Sequence, residues 1–381
     1  MRFSGLAAGA LAMSVLASAS IGTASAAERG NPVSDAVTAL VTEAGFPAAV
    51  AYHRDGDRIR HYTAGLADVR SGEPARAGQR WRIASNTKAF VATVMLQLAG
   101  EGKLGLDDAV ERWLPGVVRG PGYDPAKITL RQLLNHTSGV HDPDEAALFA
   151  PYFAGNRGYV YTPDEVIRRS LLTPPSFAPG AGVGYSNTGY VLLGRVIERV
   201  TGHDVVREIQ RRLLTPLGLT QTSFPLTSPY LTGPHLHGYG MDVEPDGKRV
   251  DLTTFSPSYD WTAGAMVSTV DDLAKFHRAL LSGRLLRPAQ QAELRKLVPN
   301  DEGGSYGLGI ETLDLPCPGG KQTVWGNTGA GPGYFSLSMT SADGARQLVL
   351  VTTVFDLQAE VEHRDTVPAP PMAPVLAALC G

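Results

Sequence analysis

The run Ala89-Phe90-Val91-Ala92-Thr93-Val94-Met95-Leu96-Gln97-Leu98 carries no charge and no polar stripe. A helix built from it has almost no face to give to water, so it belongs in the middle of a fold. Gly100 supplies a stop. Immediately ahead stands Ser85-Asn86-Thr87-Lys88, itself preceded by Arg80-Trp81-Arg82-Ile83-Ala84, which alternates as a short extended segment does. Ser85 therefore falls where the chain enters a buried helix, and there the unpaired backbone N–H groups and the positive end of the helix dipole gather. Lys88 follows three residues later on the same face. A serine hydroxyl is a weak nucleophile until a neighbour takes its proton, and burial can depress a lysine's pKa enough to free its amine for that task. A lone Ser-x-x-Lys more often marks a capping serine and a solvated lysine. Here both flanks are apolar and the pattern occurs once in the chain, which favours chemistry.

A second pattern lies about a hundred residues on. Tyr185-Ser186-Asn187 follows the Pro/Gly-rich approach Pro179–Gly184 and precedes a helical pattern from Tyr190, and it is the chain's one Tyr-x-Asn. A tyrosine held near a cationic lysine is expected to lose its proton and act as a base, while an asparagine offers donors and acceptors to a substrate amide. A loop turn with a packed ring is the simpler reading of Tyr-x-Asn taken alone. Further on comes Trp325-Gly326-Asn327-Thr328-Gly329, ahead of Pro332-Gly333-Tyr334.

Ser-x-x-Lys, then Tyr-x-Asn, then a strand-borne x-Thr-Gly is the order of the serine penicillin-recognising enzymes. From about Ala44 to Cys380 the chain resembles the class C β-lactamase-like family, and within it the secreted actinobacterial D-alanyl-D-alanine carboxypeptidases. The likeness includes Arg131-Gln132-Leu133-Leu134-Asn135-His136-Thr137-Ser138-Gly139, Thr201-Gly202-His203, Ala263-Gly264-Ala265, Tyr306-Gly307-Leu308-Gly309 and both cysteines. The resemblance implies an α+β fold, an antiparallel sheet flanked by helices beside an inserted all-helical domain, with the site in the cleft between them. It makes Ser85 the acylated nucleophile, Lys88 and Tyr185 the proton-transfer pair, and Asn187 a ligand of the substrate amide. The N–H groups of Ser85 and Ala330 become the oxyanion hole. Trp261, Asn327, Thr328 and Gly329 join the substrate-binding set.

The chain departs from this pattern where the family reads a substrate carboxylate. Asn327 replaces a histidine, Ala330 a second threonine, and Glu311 aligns with an arginine. Losing the arginine removes a bidentate clamp, and a carboxylate in its place repels an anionic substrate. The acylation residues are intact. The expected activity is a serine hydrolase acting through a Ser85 acyl-enzyme on D-alanyl-D-alanine-type peptides or related amides and esters. A β-lactamase, an esterase of relaxed specificity and a non-catalytic binding protein are the alternatives.

Elsewhere the sequence sets bounds. With 381 residues, 43% hydrophobic and 19% charged, the chain is large enough for one large or two modest domains. A net charge of -3 and the lack of any basic tract exclude nucleic acid as an expected partner. Residues 1–26 have the form of a signal peptide, with one charge at Arg2, an Ala-rich apolar stretch and Ala24-Ser25-Ala26 as a cleavage site. Export, a secreted monomer and no stable membrane insertion are therefore expected. An oxidising compartment favours pairing Cys317 with Cys380, two independent thiols being the alternative. Residues 28–106 and 250–381 read as a discontinuous catalytic domain, and 107–249 as a mostly helical insertion. Strands are expected at 48–53, 58–63, 307–312, 323–325, 334–339 and 347–354, with helices at 33–44 and 271–281 among others. Asp271 and Asp272 read as caps of the latter. His235-Leu236-His237 is too sparse for zinc, and no metal or cofactor is expected. His136 is expected to be buried and hydrogen-bonded.

Overall fold

Two strands, Ala48–Asp55 and Arg58–Asp68, turn about Gly56 and open the sheet. The first is buried along most of its length, whereas the second alternates toward solvent. That difference marks a strand inside the sheet against one near its edge. The computed structural model describes residues 30–381 except 244, 246, 300–303, 369–370 and 381. The expected signal peptide, residues 1–26, lies outside the described residues.

Among the described residues the main sheet has nine antiparallel strands. In spatial order they are Glu73–Pro74, Arg58–Asp68, Ala48–Asp55, Arg346–Thr352, Tyr334–Ser341, Gly320–Gly331, Glu311–Cys317, Ser305–Tyr306 and Val298–Pro299. The N-terminal hairpin thus inserts beside the C-terminal strands, Val50 lying opposite Val351. This is the fold of the β-lactamase-like serine enzymes: an antiparallel sheet with helices on both faces. One face is covered by the helices Pro32–Thr42 and Met372–Leu379, around Val37, Leu315, Leu350 and Val375. The other face carries the helices Thr87–Gly100 and Val270–Leu281, whose rings Phe90 and Phe276 stack.

The helix from Thr87 to Gly100 is the central element, as its composition demands. Every residue from Thr87 to Leu96 is buried. A single apolar core continues from it into the helices of the 107–249 segment, joining Val94, Leu134 and Leu193. Those helices include Leu130–Leu134, Pro163–Ser170 and Asn187–Thr201. The boundaries of the inserted domain remain our proposal.

Several local expectations need correction. Residues 307–310 are not strand; the strand begins at Glu311, because Gly309 lies at φ 86° against Ala92 and the backbone of Lys88. The strand expected at 323–325 runs from Gly320 to Gly331, so the Asn327-Thr328-Gly329 motif lies well inside the sheet. Thr269, not an aspartate, caps the helix Val270–Leu281. Asp272 instead accepts from Gln221 N and Thr222 Oγ1, and Asp271 meets His61. The helices Glu145–Phe153 and Pro288–Leu294 were not anticipated, the first because Pro151 reads as a breaker.

Cys317 and Cys380 are bonded, joining the end of a sheet strand to the end of the last helix across 63 residues. In exported protein, non-reduced peptide mapping should find this pair cross-linked. Under the chain-entropy model, Cys380→Ser should then lower stability by about 4 kcal/mol in chemical denaturation. Two freely alkylated thiols in the untreated protein would contradict the pairing.

Candidate active site

Ser85 sits in a single 3-10 turn, Ala84–Asn86, that leads straight into the central helix. The turn is strained. Ala84 has φ 45°, a left-handed value that costs a residue with a β-carbon on the order of 1 kcal/mol or more. Packing holds it there. Asn86 is fully buried and donates to Ile83 O at 3.1 Å and to Ser336 Oγ at 3.2 Å. Gly329 approaches so closely that a β-carbon on it would lie 2.3 Å from Ile83 O. The glycine of the third motif is therefore needed to let the strand close against the nucleophile turn.

Lys88 Nζ lies 3.0 Å from Ser85 Oγ, 2.7 Å from Asn187 Oδ1 and 3.0 Å from Ala263 O. Its side chain is completely buried, and desolvation pushes its pKa down to about 8, against the pull of Asp260, Asp142 and Glu311. A neutral amine has two N–H groups and one lone pair. As an ammonium Lys88 donates to Ser85 Oγ, Asn187 Oδ1 and Ala263 O; once it loses a proton, the latter two acceptors take its N–H groups and its lone pair faces the Ser85 hydroxyl. Tyr185 OH donates to Ser85 Oγ at 2.7 Å. Burial raises the Tyr185 pKa well above its ordinary value, a shift its bond to Ser85 only partly offsets. Burial thus favours the protonated form of Tyr185, while it brings the Lys88 pKa toward neutrality.

The Tyr185–Asn187 loop is held by a carboxylate that sequence reading did not single out. Asp142 accepts from Ser186 Oγ at 3.1 Å, Asn187 N at 2.9 Å and Thr188 N at 2.8 Å, at the start of the helix Asn187–Thr201. His136 supports the same loop. Its Nδ1 accepts from Ser186 N at 3.1 Å, and its ring packs 4.4 Å from that of Tyr185. Burial keeps this imidazole neutral, its pKa well below the usual value. His136 is thus buried and hydrogen-bonded, as expected. Of the four non-glycine residues with positive φ among those described, three flank this site: Ala84, His136 and Trp261.

The remaining expected site residues divide. Ala330 lines a cavity of about 40 Å³ next to Asn187. Trp261 does not; its ring is buried against Gly194, while its neighbours Tyr259 and Asp260 face that cavity. Asn327 is buried as well, its Oδ1 3.1 Å from His277 Nε2 and its Nδ2 donating to Gly309 O at 3.1 Å. Its amide is committed to the layer behind the sheet strand and is not free for substrate. Thr328 donates its backbone N–H to Glu311 Oε1. Glu311 is thus seated beside the site, and its charge acts on both Lys88 and Tyr185. The described residues contain no cluster of histidine, cysteine and carboxylate ligands able to hold a metal ion.

A serine beside a buried lysine of depressed pKa, with a tyrosine hydroxyl on the serine oxygen, is the arrangement of a serine hydrolase. The chain belongs to the family whose model is described as Beta-lactamase, which matches residues 33–367. Among curated relatives, Penicillin-binding protein 4* of Bacillus subtilis (strain 168) is 28% identical over 322 residues, covering 81% of this chain and 68% of that one. Esterase EstB of Burkholderia gladioli is 29% identical over 377 residues, covering 88% and 93%. Among solved structures, a D-stereospecific amidohydrolase from Streptomyces sp. superposes with a TM-score of 0.80 at 36% identity, covering 92% of this chain and 98% of that one. The D-amino acid amidase of Ochrobactrum anthropi SV3, complexed with D-phenylalanine, gives 0.77 at 26% identity, covering 91% and 98%.

Because the base form of Lys88 is the deprotonated one, kcat/KM for an uncharged ester should rise with pH through one ionisation near 8. Lys88→Arg, which cannot release its proton, should lose at least about a hundredfold and flatten that limb. A variant retaining the wild-type profile would remove Lys88 from the role.

Proposed function

We propose that this enzyme hydrolyses amides or esters of amino-terminal D-aminoacyl groups, releasing a neutral leaving group. A D-alanyl-D-alanine carboxypeptidase or a β-lactamase fits the site less well. The carrying observation is the cavity beside Asn187 and Ala330. It is lined by four carboxylates, Asp142, Glu145, Asp260 and Glu360, with the Tyr259 ring among them. Among the described residues no lysine or arginine lines it. Burial, with Asp142 and Glu145 nearby, raises the Asp260 pKa to about 6 despite the attraction of Lys88. Burial and the Glu145 charge raise that of Glu360 to about 7. Asp260 is only 8% exposed, and among the described residues no donor bonds its carboxylate. Carboxylates held in this way favour a cation, and a substrate ammonium is the cation that an acyl group next to Ser85 can bring.

Glu311 supports the same reading from the other side. It stands where the carboxypeptidases read a terminal carboxylate, and its bond to Thr328 N fixes a negative charge there. A free carboxylate on the leaving side meets repulsion; an amide, ester or thioester does not. The structural neighbours named D-stereospecific amidohydrolase and D-amino acid amidase agree with an amino-terminal acyl donor of D configuration.

In the proposed reaction Ser85 Oγ attacks the carbonyl carbon as its proton passes to Lys88 Nζ. The N–H groups of Ser85 and Ala330 receive the developing oxyanion. As the tetrahedral intermediate breaks, the leaving amine or alcohol takes a proton from Tyr185 OH, leaving a phenolate beside the Lys88 ammonium. In deacylation the attacking water gives its proton to Tyr185, and Lys88 returns its own to Ser85 Oγ as the ester breaks. Export through the 1–26 segment and a monomeric state complete the proposal, and N-terminal sequencing of secreted protein together with its mass in solution would test them.

The decisive comparison is kcat/KM for D-phenylalanine amide, its N-acetyl derivative and a D-alanyl-D-alanine peptide. The free amine should be preferred over the acetylated form by about tenfold to a hundredfold, the worth of one charge-assisted contact. Asp260→Asn should erode that preference while Ser85→Ala abolishes turnover of every substrate. The preference should also strengthen as pH rises through 6 to 7, where Asp260 and Glu360 ionise. Better cleavage of the acetylated amide, or of the free-acid peptide, would overturn the reading. Rapid turnover of penicillin would favour the β-lactamase.

A further inference from the structure

Far from the cleft, four residues stand in one row across the sheet. Trp325 pairs with Thr340, Thr340 with Gln347, and Gln347 with Arg54, so all four side chains share the face covered by the helix Val270–Leu281. Gln347 holds that helix by donating to Ala274 O at 3.0 Å. Trp325 is five residues along its strand from Ala330, which places the row roughly 17 Å from the oxyanion position.

At this row the sheet and the helices part to leave a cavity of about 300 Å³, into which three arginines of separate elements converge. Arg54 comes from the first strand. Arg278 comes from the helix Val270–Leu281, and Arg295 follows the helix Pro288–Leu294. Arg295 lies flat over the Trp325 ring, 4.8 Å from its centre, and donates to Leu281 O at 3.0 Å. That stacking fixes the direction of its remaining N–H groups. Arg54 is 5% exposed and donates its two terminal nitrogens to Gly56 O and Gly344 O, while its Nε is buried with no partner. Thr340 is 2% exposed, and its hydroxyl is likewise buried and unpartnered. Among the described residues no carboxylate forms an ion pair with any of the three guanidinium groups. The one acid lining the cavity, Asp343, turns to its own hairpin, accepting from Ser341 Oγ at 2.6 Å and Ala345 N at 3.0 Å. Three cations against one committed anion leave the cavity positive.

We propose that this cavity is a second ligand site, separate from the acylation cleft, and that it binds a phosphate group, either free or as the head of a phosphate ester. Donors that arrive from three directions match a tetrahedral anion, whose oxygens point apart. A planar carboxylate uses one fork and leaves the others idle. The Thr340 hydroxyl adds a neutral donor at the floor. Arg54 is the structural part of the site, because it ties two hairpin turns together; Arg295, fixed on Trp325, presents its remaining N–H groups, and Arg278 is the part free to close on a ligand.

Calorimetric titration of the full chain at low salt, with inorganic phosphate, an alkyl phosphate monoester and an alkyl phosphate diester, tests the proposal. One saturable site per chain is expected, weakened by added chloride as screening requires. Arg278→Ala and Arg295→Gln should each weaken it by about tenfold while leaving kcat/KM on the acyl substrate unchanged. A preference for the monoester assigns the site to phosphorylated small molecules. Equal or tighter diester binding assigns it to a phosphodiester chain. Either preference upholds the site. The absence of saturable binding at millimolar phosphate in low salt, or variants that titrate like the wild type, would overturn it.

Discussion

The burial of one lysine organises this enzyme. Moving an amine out of water costs several kcal/mol if it stays charged, so it either finds counter-charges or gives up its proton. Lys88 has no carboxylate in contact, and its partners are an amide oxygen, a carbonyl and the Ser85 hydroxyl. The carboxylates that act on it do so from a distance, and desolvation outweighs them. The outcome is a base of nearly neutral pKa held against the nucleophile. Nearly everything close by serves that arrangement. Asp142 and His136 hold the loop that brings Asn187, and the sharply turned Trp261 segment delivers the Ala263 carbonyl.

The same burial explains where strain is stored. Ala84 and Trp261 take left-handed backbone values on either side of Lys88, each in a segment that must offer a hydroxyl or a carbonyl to a fixed point. Such conformations last only where the surroundings over-determine them. Here Asn86, Gly329 and the close packing of Trp261 on Gly194 do so. The third motif thus acts largely as a support. Its asparagine locks to His277 and Gly309, its threonine N–H to Glu311, and its glycine admits the nucleophile turn.

Two carboxylate groupings then shape what the cleft accepts, and they act in the same sense. Glu311 places negative charge at one side, and the cavity beside Asn187 gathers Asp142, Glu145, Asp260 and Glu360 at the other. Among the described residues Lys88 is the cation that acts on Asp260, and its own pKa is depressed. This charge pattern is what the proposed function rests on, a cleft that resists anions and receives an ammonium.

Much of this was legible from the chain alone because it is local. A charge-free helix must be central, and a lysine three residues after a serine must share its face. The Ser-x-x-Lys and Tyr-x-Asn patterns therefore singled out Ser85, Lys88, Tyr185 and Asn187, which the structure brings together, and the resemblance placed Glu311 where an arginine is expected. Residue type could not say which way a buried proton equilibrium falls within the Lys88–Tyr185 pair; the burial of Tyr185 favours its protonated form. Residue type also left Asn327 and Trp261 in the cleft, whereas packing turns one toward His277 and the other onto Gly194. The acid-lined cavity was least legible of all. Its carboxylates stand at positions 142, 145, 260 and 360, in separate elements with no motif among them. Sequence by itself pointed to the chemistry of the nucleophile, because Ser85 and Lys88 stand one helix turn apart. Tertiary structure alone decided the charge of the pocket, because only folding brings those distant carboxylates within range of one another.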